Sequence, residues 1–108
     1  MAAEAPAPLV VTRDGDRTVA RFTQLTSLNE YHADQIGKQL LALADGAGAK
    51  FVTLDLGNVE YLTSTVLGHL VGLHKRLHAA GGRLHLENVR PAVRDILRVT
   101  MLDQVLSL

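Results

Sequence analysis

Three consecutive hydroxyl residues, Thr63-Ser64-Thr65, lie between an apolar run and a segment with helical periodicity. Hydroxyls at the first turn of a helix can do two kinds of chemistry. They can accept hydrogen bonds from first-turn backbone N–H groups, as N-caps do. A serine there can also carry a phosphoryl group, because the helix N-terminus is partially positive and favours an anion. A phosphate on Ser64 would bring about −1.5 to −2 charges, and the helix dipole would stabilise it by about 0.3–1 kcal/mol. The fold would survive that change. A partner packed on the helix would instead meet a buried, incompletely paired charge, at a cost of several kcal/mol. About 1.4 kcal/mol is tenfold in affinity, so one phosphate is enough to release a partner. The residues alone leave both readings open, N-cap cluster and phosphate switch.

Other reactive side chains give weaker signals. His74 and His78 are four apart on one helix, a spacing that can chelate a metal. The residues between them, Lys75-Arg76-Leu77, hold no glutamate, so a His-Glu-x-x-His metalloprotease site is absent. A solvated or interfacial pair is the ordinary alternative, and His69 and His85 lie elsewhere. No pair of catalytic carboxylates stands at a readable spacing. Asp55, on a strand near the hydroxyls, reads either as a charged active-site residue or as one that orients the following loop. Gly46-Ala47-Gly48-Ala49-Lys50 lacks phosphate-loop spacing and precedes a strand rather than a helix. Arg90, Arg94 and Arg98, four apart, form a positive stripe suited to an acidic partner or to solvent. No metal and no cofactor is expected.

The chain has 108 residues, which fits one domain of ordinary size. Apolar residues make up 47% and charged residues 20%, enough to bury a core. With aromatics at 4% and no Trp, that core must be aliphatic. Eleven basic and eleven acidic residues cancel, so the chain lacks the basic footprint and stacking platform of a nucleic-acid binder. It contains no cysteine, which excludes thiol catalysis, disulfides and Cys-ligated zinc. No stretch approaches about 20 consecutive apolar residues, so no membrane insertion is expected. The start, MAAEAPAPLV, has neither the basic nor the long apolar region of a secretory signal. Residues 1–8 are expected to form a disordered lead, 9–108 a domain, and the compartment to be the cytoplasm. No lipidation motif is present.

The elements that must hold these side chains follow from patterning. Leu9–Arg13 and Thr18–Phe22 are β-prone runs joined by Asp14-Gly15-Asp16, a strong hairpin signal. Helical periodicity predicts a helix over roughly 29–45, ended by Gly46. Phe51–Leu56 reads as a strand with Val52, Leu54 and Leu56 on one face. A second helix is expected over about 64–80, with Val66, Leu70, Leu73 and Leu77 as its apolar stripe and Gly81-Gly82 as its stop. Leu84–Leu86 is a further strand. Pro91 opens a third helix whose stripe is Val93, Ile96, Leu97 and Val99. Val105-Leu106 could add a short strand or a helical tail. The order β-β-α-β-α-β-α implies an α/β fold with a mixed sheet, parallel where strands are joined through right-handed helical crossovers.

This order, together with VTLDLGNVEYLTSTVLGHLVGLHKRL, AAGGRLHLENV and RPAVRDILRVTMLDQVL, resembles the STAS domain family of the anti-sigma factor antagonist type, over about residues 9–107. The resemblance implies a STAS-like mixed sheet with the helices packed on one side. The family's Asp-Ser-Ser/Thr-Gly motif falls on Thr63-Ser64-Thr65-Val66. Ser64 then takes the phosphoacceptor position, Thr65 keeps the second hydroxyl, and Asp55 matches the family's strand aspartate. Thr63 replaces the family Asp and Val66 the Gly. Thr63 is expected to cap the helix through its hydroxyl, and Val66 to add a branched side chain near the acceptor. By resemblance the chain is no enzyme. It would sequester a serine-kinase anti-sigma factor and be switched by phosphorylation at Ser64, with a phosphatase as a further partner. Asp55, Thr63, Thr65 and Val66 would form the switch loop and interface. The alternative is a STAS scaffold or transporter-accessory subunit that has lost the phospho-switch.

Overall fold

The computed structural model describes residues 9–15, 17–22, 27–28, 33–45 and 50–102. Strands β1 (Leu9–Asp14) and β2 (Arg17–Phe22) form the expected hairpin, with Leu9 opposite Phe22 and Asp14 opposite Arg17. The turn needs a left-handed residue, and Gly15 supplies it at φ 65°. A two-residue strand, β3 (Ser27–Leu28), precedes helix α1 (Ala33–Asp45). The expected start of that helix at 29 lies outside the described residues, as do its Gly46 stop and the Val105-Leu106 segment.

Strand β4 (Phe51–Asp55) lies parallel to β2, and β6 (Arg83–Glu87) lies parallel to β4. The sheet order is β1-β2-β4-β6, mixed as the pattern required. Strand β5 (Tyr61–Leu62) pairs with β3 in a separate two-stranded parallel sheet. Helix α2 (Ser64–Ala79) follows β5 directly, and α3 (Pro91–Val99) follows β6.

One face of the main sheet builds the core. Ala20, Phe22, Val52, Leu54, Leu84 and Leu86 alternate inward along their strands. Against them pack Ile36, Leu40 and Leu43 of α1, Leu70, Leu73 and Leu77 of α2, and Val93 and Leu97 of α3. The core is aliphatic apart from Phe22. In α3 the stripe is narrower than expected. Val99 is 83% exposed, because at about 100° per residue it has turned about 140° off the Val93–Leu97 face. Leu56 lies just past the end of β4 but stays buried, and its N–H donates to the Glu87 carbonyl at 2.9 Å.

The end of α2 sets the approach of β6. The Gly82 N–H donates to the Leu77 carbonyl and the Gly81 N–H to the His78 carbonyl, a Schellman closure with Gly81 at φ 83°. Lys50 meets this turn: its carbonyl accepts from the Arg83 N–H at 2.8 Å. A Cβ on Gly82 would lie 2.0 Å from that carbonyl oxygen, so glycine is required there.

Candidate functional site

The site is the loop from Leu56 to Thr63 and the first turn of α2. The loop is held at both ends. At its start, Asp55 Oδ1 accepts from the Gly57 N–H at 2.9 Å and from Asn88 Nδ2 at 3.1 Å. Asn88 sits at φ 56°, a left-handed conformation that asparagine tolerates. Arg90 Nε donates to the Gly57 carbonyl at 2.7 Å, and Asn58 Nδ2 donates to the Phe22 carbonyl at 2.9 Å. At its end, the Thr63 N–H donates to the Leu28 carbonyl at 3.0 Å, which extends the β3–β5 pairing to the helix start. The loop therefore delivers Ser64 to a position fixed by four separate segments.

Of the two roles open to Asp55, its hydrogen bonds match the orienting one: they go to Gly57 and Asn88. Thr63 occupies the N-cap with φ −90° and ψ 169°. Its hydroxyl makes no cap bond, contrary to expectation. Oγ1 is buried without a hydrogen-bond partner, so the capping contribution of Thr63 comes from its backbone carbonyl, which accepts from Leu67 N–H at 2.9 Å. Ser64 and Thr65 are exposed at the first two helical positions. No acidic residue stands in that first turn. Val66 corrects the other expectation. It is 0% exposed and belongs to the core, because it shares the inward stripe with Leu70, Leu73 and Leu77. Its side chain adds nothing to the exposed surface.

Below Ser64 the exposed side of α2 is bare. Gly68 and Gly72 follow at intervals of four, and a Cβ at either would meet nothing within 4 Å. Ser64, Gly68 and Gly72 thus lie along one line of the helix with open space above the two glycines. Sequence reading passed over this line, although the spacing was there to be seen.

The remaining candidates separate. Arg90 is the N-cap of α3 rather than a helical residue, and it is committed to Gly57. Arg98 pairs with Asp95 at 3.6 Å, both exposed, a contact worth little. The His74 and His78 rings stack with centroids 6.0 Å apart. Among the described residues no group of three or more His, Cys, Asp or Glu could hold a metal. His69 lies on the α1–α2 contact, its ring against Gly37, where a Cβ would come within 2.7 Å. Among the described residues no helix is long and apolar enough to cross a membrane.

Comparison with known proteins agrees with this architecture. Residues 9–108 match the STAS domain family, and the chain belongs to it. BtrV of Bordetella bronchiseptica, which bears the name of an anti-sigma factor antagonist, is 32% identical over 73 residues, 68% of this chain and 62% of BtrV. The match thus spans under two thirds of that relative's length. A STAS domain protein of the anti-sigma-factor antagonist type from Planctomyces limnophilus superposes with a TM-score of 0.81 at 33% identity, covering 94% of this chain and 87% of the other. SpoIIAA of Bacillus in its phosphorylated form superposes with a TM-score of 0.69 at 18% identity, over 89% of this chain and 86% of SpoIIAA, which shows the shared fold.

Proposed function

We propose that this chain is a non-catalytic, protein-binding regulator that occupies a serine-kinase anti-sigma factor and is released when Ser64 is phosphorylated. The observation that carries the reading is the exposed Ser64 at the first position of α2, above a glycine-lined helix face, in a STAS chain related to an anti-sigma factor antagonist. The glycines allow a partner backbone to approach α2 closely. Ser64 then lies at the rim of the contact, where a hydroxyl is tolerated and a phosphate is not.

The replacements at Thr63 and Val66 fit this reading. Val66 points inward and leaves the acceptor accessible. Thr63 removes the negative charge that an Asp would place beside the phosphate, so the first-turn N–H groups meet the phosphate without a competing carboxylate. A phosphatase would restore the binding form.

The test is affinity purification of the tagged protein from its own cells, with mass spectrometry of bait and prey. A histidine-kinase-like serine kinase among the prey, with phosphate on a fraction of Ser64, supports the switch. A wholly unmodified bait with transporter or assembly subunits as prey supports the scaffold role instead.

A further inference from the structure

The main sheet has a second face, opposite the core, on which alternate side chains remain in solvent. Phe51, at 42% exposed, stands at the start of the inner strand β4, with Val19 and Val10 also exposed on that face. Parallel strands are normally covered on both faces, and β2, β4 and β6 are parallel to one another. Phe51 is flanked in register by Arg17 on β2 and Arg83 on β6, all three exposed. Neither arginine forms an ion pair among the described residues. Arg17, Phe51, Thr53, Arg83 and His85 line a shallow depression of about 400 Å³.

Two of the acidic residues of this face stand apart from that row. Asp55 and Glu87 lie in register with Arg21 at the other end of the strands, and Glu87 contacts His85 at 3.8 Å. A third, Asp14, belongs to the row itself, in register with Arg17 on the edge strand β1. The row thus holds an aromatic between two arginines that form no ion pair among the described residues.

We propose that this bare sheet face docks an acidic amphipathic helix of a partner protein, laid across the strands with an apolar side chain on Phe51 and carboxylates on Arg17 and Arg83. Strands in a sheet are about 4.8 Å apart, so the two arginines, on either side of β4, are about 10 Å apart at the backbone. A helix rises about 1.5 Å per residue, so glutamates seven positions apart on one face match that span at about 10.5 Å. The apolar positions between them, three and four along, then lie over Phe51. An extended segment does not match, because its same-face side chains recur about every 6.7 Å. Arginine favours the carboxylate through paired hydrogen bonds. This face lies on the far side of the sheet from α2, so it would serve a partner other than the one at Ser64.

The test uses the full chain and a fluorescein-labelled synthetic helical peptide with two glutamates seven positions apart bracketing two leucines. Anisotropy at low salt should show binding. Amide shifts in NMR spectra should fall on the strands around residues 17–21, 51–55 and 83–87. Arg17→Glu with Arg83→Glu should weaken binding at least tenfold, and the same variant should gain binding to a peptide with lysines in place of both glutamates. If that variant misfolds by its amide spectrum, Arg17→Ala and Arg83→Ala singly should each weaken binding severalfold. The idea is overturned if the wild-type chain binds neither peptide or both equally, or if the shifts map to α2 and α3. Sedimentation showing a dimer that Phe51→Ser dissolves would also overturn it, assigning the face to a second copy of this chain.

Discussion

At Thr63 the backbone has the dihedrals of an N-cap, while the hydroxyl is buried and pairs with nothing. A buried, unpaired polar group costs about 1–3 kcal/mol. Thr63→Val, which replaces that hydroxyl with a methyl group of similar size, is therefore expected to leave stability unchanged or raise it by about 1 kcal/mol in urea denaturation. An ordinary capping threonine would lose about 0.5–2 kcal/mol on losing its hydroxyl, so the sign of the change separates the two cases. One residue on, Ser64 is exposed, and its substitution acts on binding rather than on folding. Ser64→Asp should keep the melting temperature within a few degrees and reduce affinity for the proposed anti-sigma partner at least tenfold, as measured by calorimetry. Ser64→Ala should keep the affinity and abolish phosphate incorporation. At Asp55 the carboxylate holds the loop through Gly57 and Asn88. Asp55→Ala is expected to cost about 1.5–3 kcal/mol, on the scale of hydrogen bonds to charged groups.

The elements differ in how far the sequence foretells them, and the reasons are physical. The hairpin was readable because Asp14-Gly15 supplies a left-handed turn residue between two alternating runs. Helix α2 was readable because four apolar residues repeat at helical spacing and two glycines close it. That same stripe already placed Val66 inward, although alignment with a surface motif drew it outward. Strands β3 and β5 were not readable. Two residues carry no periodicity, and their pairing joins segments more than thirty positions apart. The direction of the Thr63 hydroxyl was equally hidden, since it follows from where Leu28 receives the chain.

Glycines in α2 and in the turn that closes it give a sharper test. Gly82→Ala would place a Cβ against the Lys50 carbonyl, where backbone on both sides must move. It should destabilise by at least about 2 kcal/mol in urea melts. Gly68→Ala and Gly72→Ala meet open space and should each stabilise by about 0.5–1 kcal/mol, the usual gain in a helix interior. If these glycines serve partner approach, the stabilised variants will bind the anti-sigma partner more weakly, and calorimetry will show the loss beside the gain in melting temperature.

Across the whole molecule, one side of the sheet is committed to the core and three helices, while the other carries Phe51, Arg17 and Arg83 in solvent. The molecule is thus two-sided: a helix face that carries Ser64 and a bare sheet face that carries Phe51. The order β1-β2-β4-β6 runs across the sheet as it runs along the chain. Each strand pairs with the one made before it in the same sheet, and no strand waits for a later one to open a place between two others. A growing chain can therefore assemble this sheet by accretion as it leaves the ribosome. The β1–β2 hairpin forms first as a template, and β6 closes the edge last. In this order the Ser64 turn is synthesised before the Asn88 and Arg90 side chains that brace the start of its loop, so until β6 and α3 emerge the loop has only its bonds to Phe22, Leu28 and Asp55.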